Sequence, residues 1–204
     1  MPREATKKRR TQKERSDTTT GEILEAARGL FATDGYQATS LDDIAKAAKV
    51  TKGAIYHHFS GKEALFRAVF EREERRLAER SGEAYAGKSD PWQGFYEGCR
   101  VWLEAATDAG VQQIIFLDAP AVLGWQTVRE IDSDYALALM STALEAAMES
   151  GRIRRRPVKP LAHMLFGAMT EASMLVAGAS QGEVEKEKKR VLRELRTLLG
   201  SLKA

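Results

Sequence analysis

With one cysteine in 204 residues, Cys99, the chain can form no internal disulfide and no thiol-bound metal cluster, and core packing is the plainest use for that side chain. No apolar run approaches the ~18 residues of a membrane-crossing helix, and the N-terminus is basic without the apolar stretch of a secretory signal. A cytoplasmic protein with no membrane partner is therefore expected. Strand-like alternation is nearly absent. So are a glycine-rich phosphate loop, a cluster with metal-ligand spacing, and a nucleophile with its base, since Cys99 and His163 alone make no dyad. No metal, no cofactor and no catalysis are expected.

What is present is an apolar share of 43%, enough for a proper core in one large or two small domains. The net charge of +3 is unevenly spread. Arg3, Lys7, Lys8, Arg9, Arg10, Lys13 and Arg15 stand against Glu4 and Glu14, which leaves the first 16 residues near +5 and the rest near −2. With almost nothing apolar to bury, residues 1–18 read as a disordered basic arm, either a solubility tail or a segment that settles on polyphosphate.

Beyond the arm the periodicity is helical, and the fold class expected is all-α. A first helix spans about Thr20 to Asp34, with Ile23, Leu24, Ala27, Leu30 and Phe31 on one face and Gly35 ending it. Ser40 with Asp43 forms a capping box for a short helix ending near Lys49. Thr51 caps another, with Ala54, Ile55 and Phe59 inward, and Ser60 with Glu63 forms a second capping box. Two short helices across a tight turn make a helix-turn-helix, expected within residues 19–66.

Lys52 and Lys62 each fall in a first helical turn, where the macrodipole disfavours a cation. A bound phosphate at those helix starts would offset that, and DNA supplies phosphates at regular spacing. No acid fills the start of the third helix, where Ala54 sits, and Gly53 and Ala54 leave room for backbone and bases to approach. Thr51 and Lys52 are placed to reach base edges or phosphate. Tyr56 and His57 lie outward as phosphate donors, although Tyr56 also suits an ordinary amphipathic core position. His57 and His58 are adjacent and lack the i, i+4 spacing of a helical zinc pair.

The stretches Thr39-Ser40-Leu41-Asp42-Asp43-Ile44-Ala45 and Val50-Thr51-Lys52-Gly53-Ala54-Ile55-Tyr56-His57-His58-Phe59-Ser60-Gly61-Lys62-Glu63-Ala64-Leu65 closely resemble the DNA-binding domain of TetR-family regulators. The resemblance implies an all-α homodimer on palindromic double-stranded DNA operators, usually repressing and usually released by a small effector. It assigns phosphate contacts to Thr39, Tyr56, His57 and Lys62, with Ser40 beside them, and puts Thr51, Lys52, Gly53 and Ala54 nearest the bases. Lys49 stands where the family often has glycine. If that turn residue is left-handed, lysine costs on the order of 1 kcal/mol relative to glycine.

Residues 67–204 are then expected to form an effector-binding and dimerisation domain. A long helix runs from before Ala64 to about Ala84 and joins the two parts. Pro91 opens a helix with Trp92, Phe95, Cys99, Trp102, Leu103 and Ala106 at helical spacing. After an apolar stretch at Ile114–Leu117, Pro120 interrupts the pattern before a helix from about Trp125 to Ser150. Arg152, Arg154, Arg155 and Arg156 after Gly151 read as a solvated loop in preference to a second DNA contact. A broadly apolar helix from Pro160 to about Gln181 and an amphipathic one with Val184, Val191, Leu192, Leu195, Leu198 and Leu199 match the pair through which the family dimerises. His163, Thr170 and Glu171 share a face that serves either a pocket or that interface. Phe95, Cys99, Trp102, Phe116, Trp125, Met140, Met164 and Glu171 are the candidate effector contacts, and for each a plain core role stays open. An apolar effector suits such residues. Two other readings also remain open here: a helical enzyme, and a DNA-binding protein that answers to no effector.

Overall fold

The structure is a computed structural model that describes residues 12–105, 107–180 and 182–203, with side chains described from residue 16 onward. Residues 1–11 of the basic arm, Ala106, Gln181 and Ala204 lie outside the described residues.

Helix α1 (Gln12–Ala38) starts well before Thr20, so residues 12–18 are helical and not part of a disordered arm. No proline interrupts this stretch, and Thr20 settles its hydroxyl on the Ser16 carbonyl while standing 3.2 Å from His58 Nδ1. The continuous geometry fails at Gly35, whose φ of +76° only glycine adopts freely. α2 (Leu41–Ala48) begins at Ser40, whose oxygen accepts from the Asp43 N–H. The capping box forms only by half, because the Asp43 carboxylate takes the Ser40 hydroxyl and not its backbone N–H. Lys49 closes α2 in the left-handed conformation, at φ 57° and ψ 37°. Thr51 then caps α3 (Lys52–His58) by accepting from the Ala54 N–H at 3.1 Å.

The second capping box does not form. α4 (Lys62–Ala86) is preceded by Gly61 with no side-chain cap, because the helix starts one residue later than a Ser60 cap requires. Ile23, Ala27, Phe31, Ile44, Ile55, Leu65, Phe66, Val69 and Phe70 close the small core around these helices, with Phe31 and Phe66 edge to face at 5.1 Å.

Beyond it come α5 (Pro91–Ala105), the short α6 (Ala109–Val111), a π-helical turn (Gln112–Asp118), α7 (Ala119–Asp134), α8 (Ala136–Glu149), α9 (Val158–Ala177) and α10 (Val184–Gly200). Pro120 is not the interruption expected of it, since it sits in the first turn of α7, where its missing N–H costs nothing. Gly124, at φ +77°, kinks α7 instead. Nor does one helix run from Trp125 to Ser150: Tyr135 breaks it. The Tyr135 hydroxyl accepts from Arg75 at 3.0 Å and donates to Glu71 at 2.9 Å, and both partners belong to α4. Gly151 ends the turn after α8 at φ +71°, and the following arginines are exposed apart from the ion pair that Arg152 makes with Asp90. Among the described residues the one strand-like pairing is the isolated bridge between Ile153 and Lys203.

The N-terminal helices are tied to the rest by specific contacts. The Tyr36 N–H donates to Asp118 at the end of the π-helical turn at 2.8 Å, and Arg28 pairs with Glu73 of α4 at 3.2 Å. Gly110 packs against Ala32 so closely that an added Cβ would stand 2.8 Å from the alanine methyl.

Candidate nucleic-acid interface and internal cavity

Helix α3 turns Ile55 into the small core and leaves the rest of its first turns outside. Thr51, Lys52, Gly53 and His57 are exposed, Ala54 is half-buried, and Tyr56 is 53% exposed, so the core alternative for Tyr56 is set aside. Ser40, exposed at the start of α2, borders the same surface. A short helix presenting a hydroxyl, an ammonium, a phenol and an imidazole around a glycine can meet both phosphate oxygens and base edges.

The two lysines do not stand unpartnered at their helix starts. Lys62 Nζ donates to the carbonyls of Tyr36 and Thr39, at 2.9 and 3.0 Å, and lies 4.2 Å from the centroid of the Tyr36 ring. The break at Gly35 exposes carbonyls at the end of α1, and a cation is favourable there. An external phosphate is therefore not needed to explain Lys62. Lys52 is paired with Asp42 at 2.8 Å, which raises its pKa through that hydrogen bond, but the pair is exposed and open to exchange. Thr39 departs from its expected place: it is only 3% exposed, and its hydroxyl donates to the Gly35 carbonyl at 2.8 Å. Its side chain braces the end of α1 and does not face outward.

A cavity of about 50 Å³ lies among α4, α5, α8 and α9. Phe95, Cys99, Trp102 and Met140 line it, four of the eight residues singled out in the sequence. The other four do not. Phe116 is buried in the π-helical turn away from the cavity. Trp125 follows the kink at Gly124 and is 68% exposed, with the Arg129 guanidinium 4.3 Å above its ring. Met164, 73% exposed, and Glu171 lie on the outer side of α9, whereas Phe166 and Met169 face the cavity. Burial pushes the Cys99 thiol up to about 12, so it stays neutral and packs as an apolar group.

Two family models match the chain. The one described as "Bacterial regulatory proteins, tetR family" covers residues 23–69, and the one described as "Tetracyclin repressor-like, C-terminal domain" covers residues 92–202, more than half of the chain. The chain belongs to the TetR family of transcriptional regulators. A TetR-family regulator from Pectobacterium atrosepticum is similar in structure, with a TM-score of 0.80 at 30% identity over 96% of this chain and 98% of that one. The TetC protein of transposon Tn10 from Escherichia coli is 26% identical over 76% of this chain and 79% of its own length. The regulator AcrR of Shigella flexneri is 44% identical over 34% of this chain and 33% of its own, a match confined to about a third of each.

As a TetR-family member the protein is a DNA-binding regulator of transcription and not an enzyme. Among the described residues there is no cluster of three or more potential metal ligands, and no helix is long and apolar enough to cross a membrane. Sequence reading missed several cavity residues, above all Ala78, Ser81 and Tyr85 of α4. Their signal was a small-small-aromatic spacing of i, i+3, i+7 within an otherwise charged stretch, which marks the one face of α4 there that turns inward. His163 and Glu171 are exposed on α9 and do not line the cavity.

Proposed function

We propose that the protein is a homodimeric repressor that holds a palindromic operator through α3 and releases it when a small, mostly apolar effector enters the α4/α5/α8/α9 cavity. The observation that carries the reading is the outward face of α3, where Thr51, Lys52, Gly53, Tyr56 and His57 stand free of the core within residues 23–69, the stretch that the family model matches. Lys52 and Ala54 lie nearest the bases, Tyr56, His57 and Ser40 meet phosphates, and Lys62 acts mainly by locking the end of α1 to the start of α4. Residues 19–66 serve DNA and residues 67–204 serve effector and partner, in the cytoplasm.

For the dimer, α9 and α10 offer Met164, Leu175 and Leu198 exposed beside Ala168, and the groove between the helices is lined by Ala172, Val191 and Leu195. An apolar strip of this kind, flanked by Glu187, Arg190 and Glu194, suits a four-helix bundle across a two-fold axis. α4 supports the coupling, since its first residue grips α1 while Ala78, Ser81 and Tyr85 near its other end line the cavity. An effector that prefers the non-binding arrangement by about 3 kcal/mol lowers operator affinity roughly 100-fold.

The test is binding of the purified protein to the DNA upstream of its own gene, titrated with salt and competitor DNA. Tight, competitor-resistant binding that weakens steeply with salt is expected, and Lys52→Ala should weaken it and lower the salt slope by about 1. Equal, weak binding to every DNA tried, unchanged by Lys52→Ala, defeats the reading.

A further inference from the structure

We propose that the cavity takes a small uncharged molecule, apolar except for one oxygen acceptor, which is held by the Ser81 hydroxyl and the Trp102 indole N–H. This deepens the effector reading above and rests on it for any consequence at DNA.

The cavity wall contains no aspartate, glutamate, lysine, arginine or histidine, so a ligand that brought a charge would lose its hydration with nothing to replace it. Two residues of that wall nevertheless carry a buried polar atom with no hydrogen-bond partner: Ser81 Oγ and Trp102 Nε1. Both residues are more than nine-tenths buried, at 5% and 7% exposed. Ser81 is unusual within its own fold. Thr20, Ser133, Thr142, Thr170, Ser173 and Thr197 each return a hydroxyl to the carbonyl four residues earlier, whereas the Ser81 hydroxyl makes no such bond. An indole nitrogen can only donate, and a serine hydroxyl can donate as well as accept. Two buried donors left over in an otherwise apolar site ask for an acceptor from the ligand, because a buried donor without a partner is costly.

Shape narrows the class further. The Trp102 and Phe166 rings meet edge to face at 5.6 Å, and Phe95 and Tyr85 complete an aromatic wall suited to a flat or cyclic body. A water needs roughly 10–15 Å³ of such space, so the cavity admits a handful of heavy atoms as it stands, and more once Met140 or Met169 shifts. Covalent capture is not part of the scheme, since the buried Cys99 thiol stays protonated and is a poor nucleophile. Small ketones, aldehydes and ethers fit these demands.

The experiment uses the full-length protein and three matched pairs, in which a C=O is exchanged for a C=CH₂ of the same shape: 2-butanone with 2-methyl-1-butene, cyclohexanone with methylenecyclohexane, and acetophenone with α-methylstyrene. Benzoate is the charged control. Dissociation constants come from titrations followed through the backbone amide resonances by NMR, and the Trp102 indole N–H resonance, assigned by its loss in Trp102→Phe, reports on the site in the proteins that keep it. At least one ketone should bind on the order of 10-fold more tightly than its hydrocarbon, with a downfield shift of that resonance. Ser81→Ala and Trp102→Phe should each reduce the preference several-fold, read as the ratio of ketone to hydrocarbon affinity within each variant, and a backbone amide spectrum matching that of the unsubstituted protein separates a lost hydrogen bond from a damaged fold. The proposal is overturned if no ketone outdoes its hydrocarbon, if the preference survives both substitutions, or if benzoate binds as well as acetophenone. Operator binding by the same preparation keeps the two readings apart. Salt-sensitive, specific DNA binding with no ketone preference removes only this proposal, whereas a ketone preference without specific DNA binding removes only the regulator reading.

Discussion

Asp132 shows how much a single buried charge can matter in a helical domain of this size. Burial pushes its carboxyl up to about 6 from the ordinary 3.8, while Arg129, 3.5 Å away, pulls in the other direction. Glu74, fully buried on α4, is raised well above the usual range by burial and then by Asp132 and Glu73. For Asp132 the folded state holds its proton more tightly than the unfolded chain does. Its contribution therefore favours folding below about pH 4 and is lost as the pH rises through about 6, above which a buried charge remains. The rise from 3.8 to about 6 corresponds to at most about 3 kcal/mol, with the opposing pull of Arg129 already counted in it. Asp132→Asn should raise the urea midpoint at pH 8, with the gain shrinking toward zero near pH 4. A gain of equal size at both values would show that burial of the charge is not its source.

At the scale of elements, the turn between α2 and α3 sets the angle at which the DNA-facing helix is offered. Lys49 holds that turn in the left-handed region, where a glycine would sit without the clash of a Cβ. Lys49→Gly is expected to stabilise the protein by about 0.5–1 kcal/mol, seen as a higher urea midpoint with an unchanged slope. A destabilised variant would mean that the lysine side chain contributes more than its backbone conformation costs. The helix boundaries follow the same local logic where a cap or a glycine decides them, as at Ser40, Thr51 and Gly35. They depart from it where a distant partner decides. Tyr135 leaves the helix because Arg75 and Glu71 hold its hydroxyl, a cause invisible in the residues around it.

At the scale of the molecule, the proposed dimer places two α3 helices on one side of the DNA, about 34–36 Å apart if they enter successive major grooves. Met164→Glu combined with Leu198→Glu would bury four carboxylates in the bundle of a symmetric pair, and this should drive the protein to monomer in sedimentation equilibrium. Operator affinity should fall with it, because one half-site alone remains. A variant that stays dimeric would place the interface elsewhere than on the exposed faces of α9 and α10.

The all-α class, the short helix pair and the residues offered by α3 were legible in the sequence, because periodicity, capping residues and side-chain chemistry act within one or two turns of chain. The TetR-type motif was legible for the same reason, being one short continuous stretch. The cavity was legible only in part. Phe95, Cys99 and Trp102 share one face of α5, but which face of α9 turns inward depended on where its neighbours packed, and so Met164 and Glu171 fell outside while Phe166 and Met169 fell inside. The lysines differed in the same way. Their place at helix starts was readable, but the partner that answers each charge, the end of α1 for Lys62 and Asp42 for Lys52, was chosen by contacts that only the folded chain brings together.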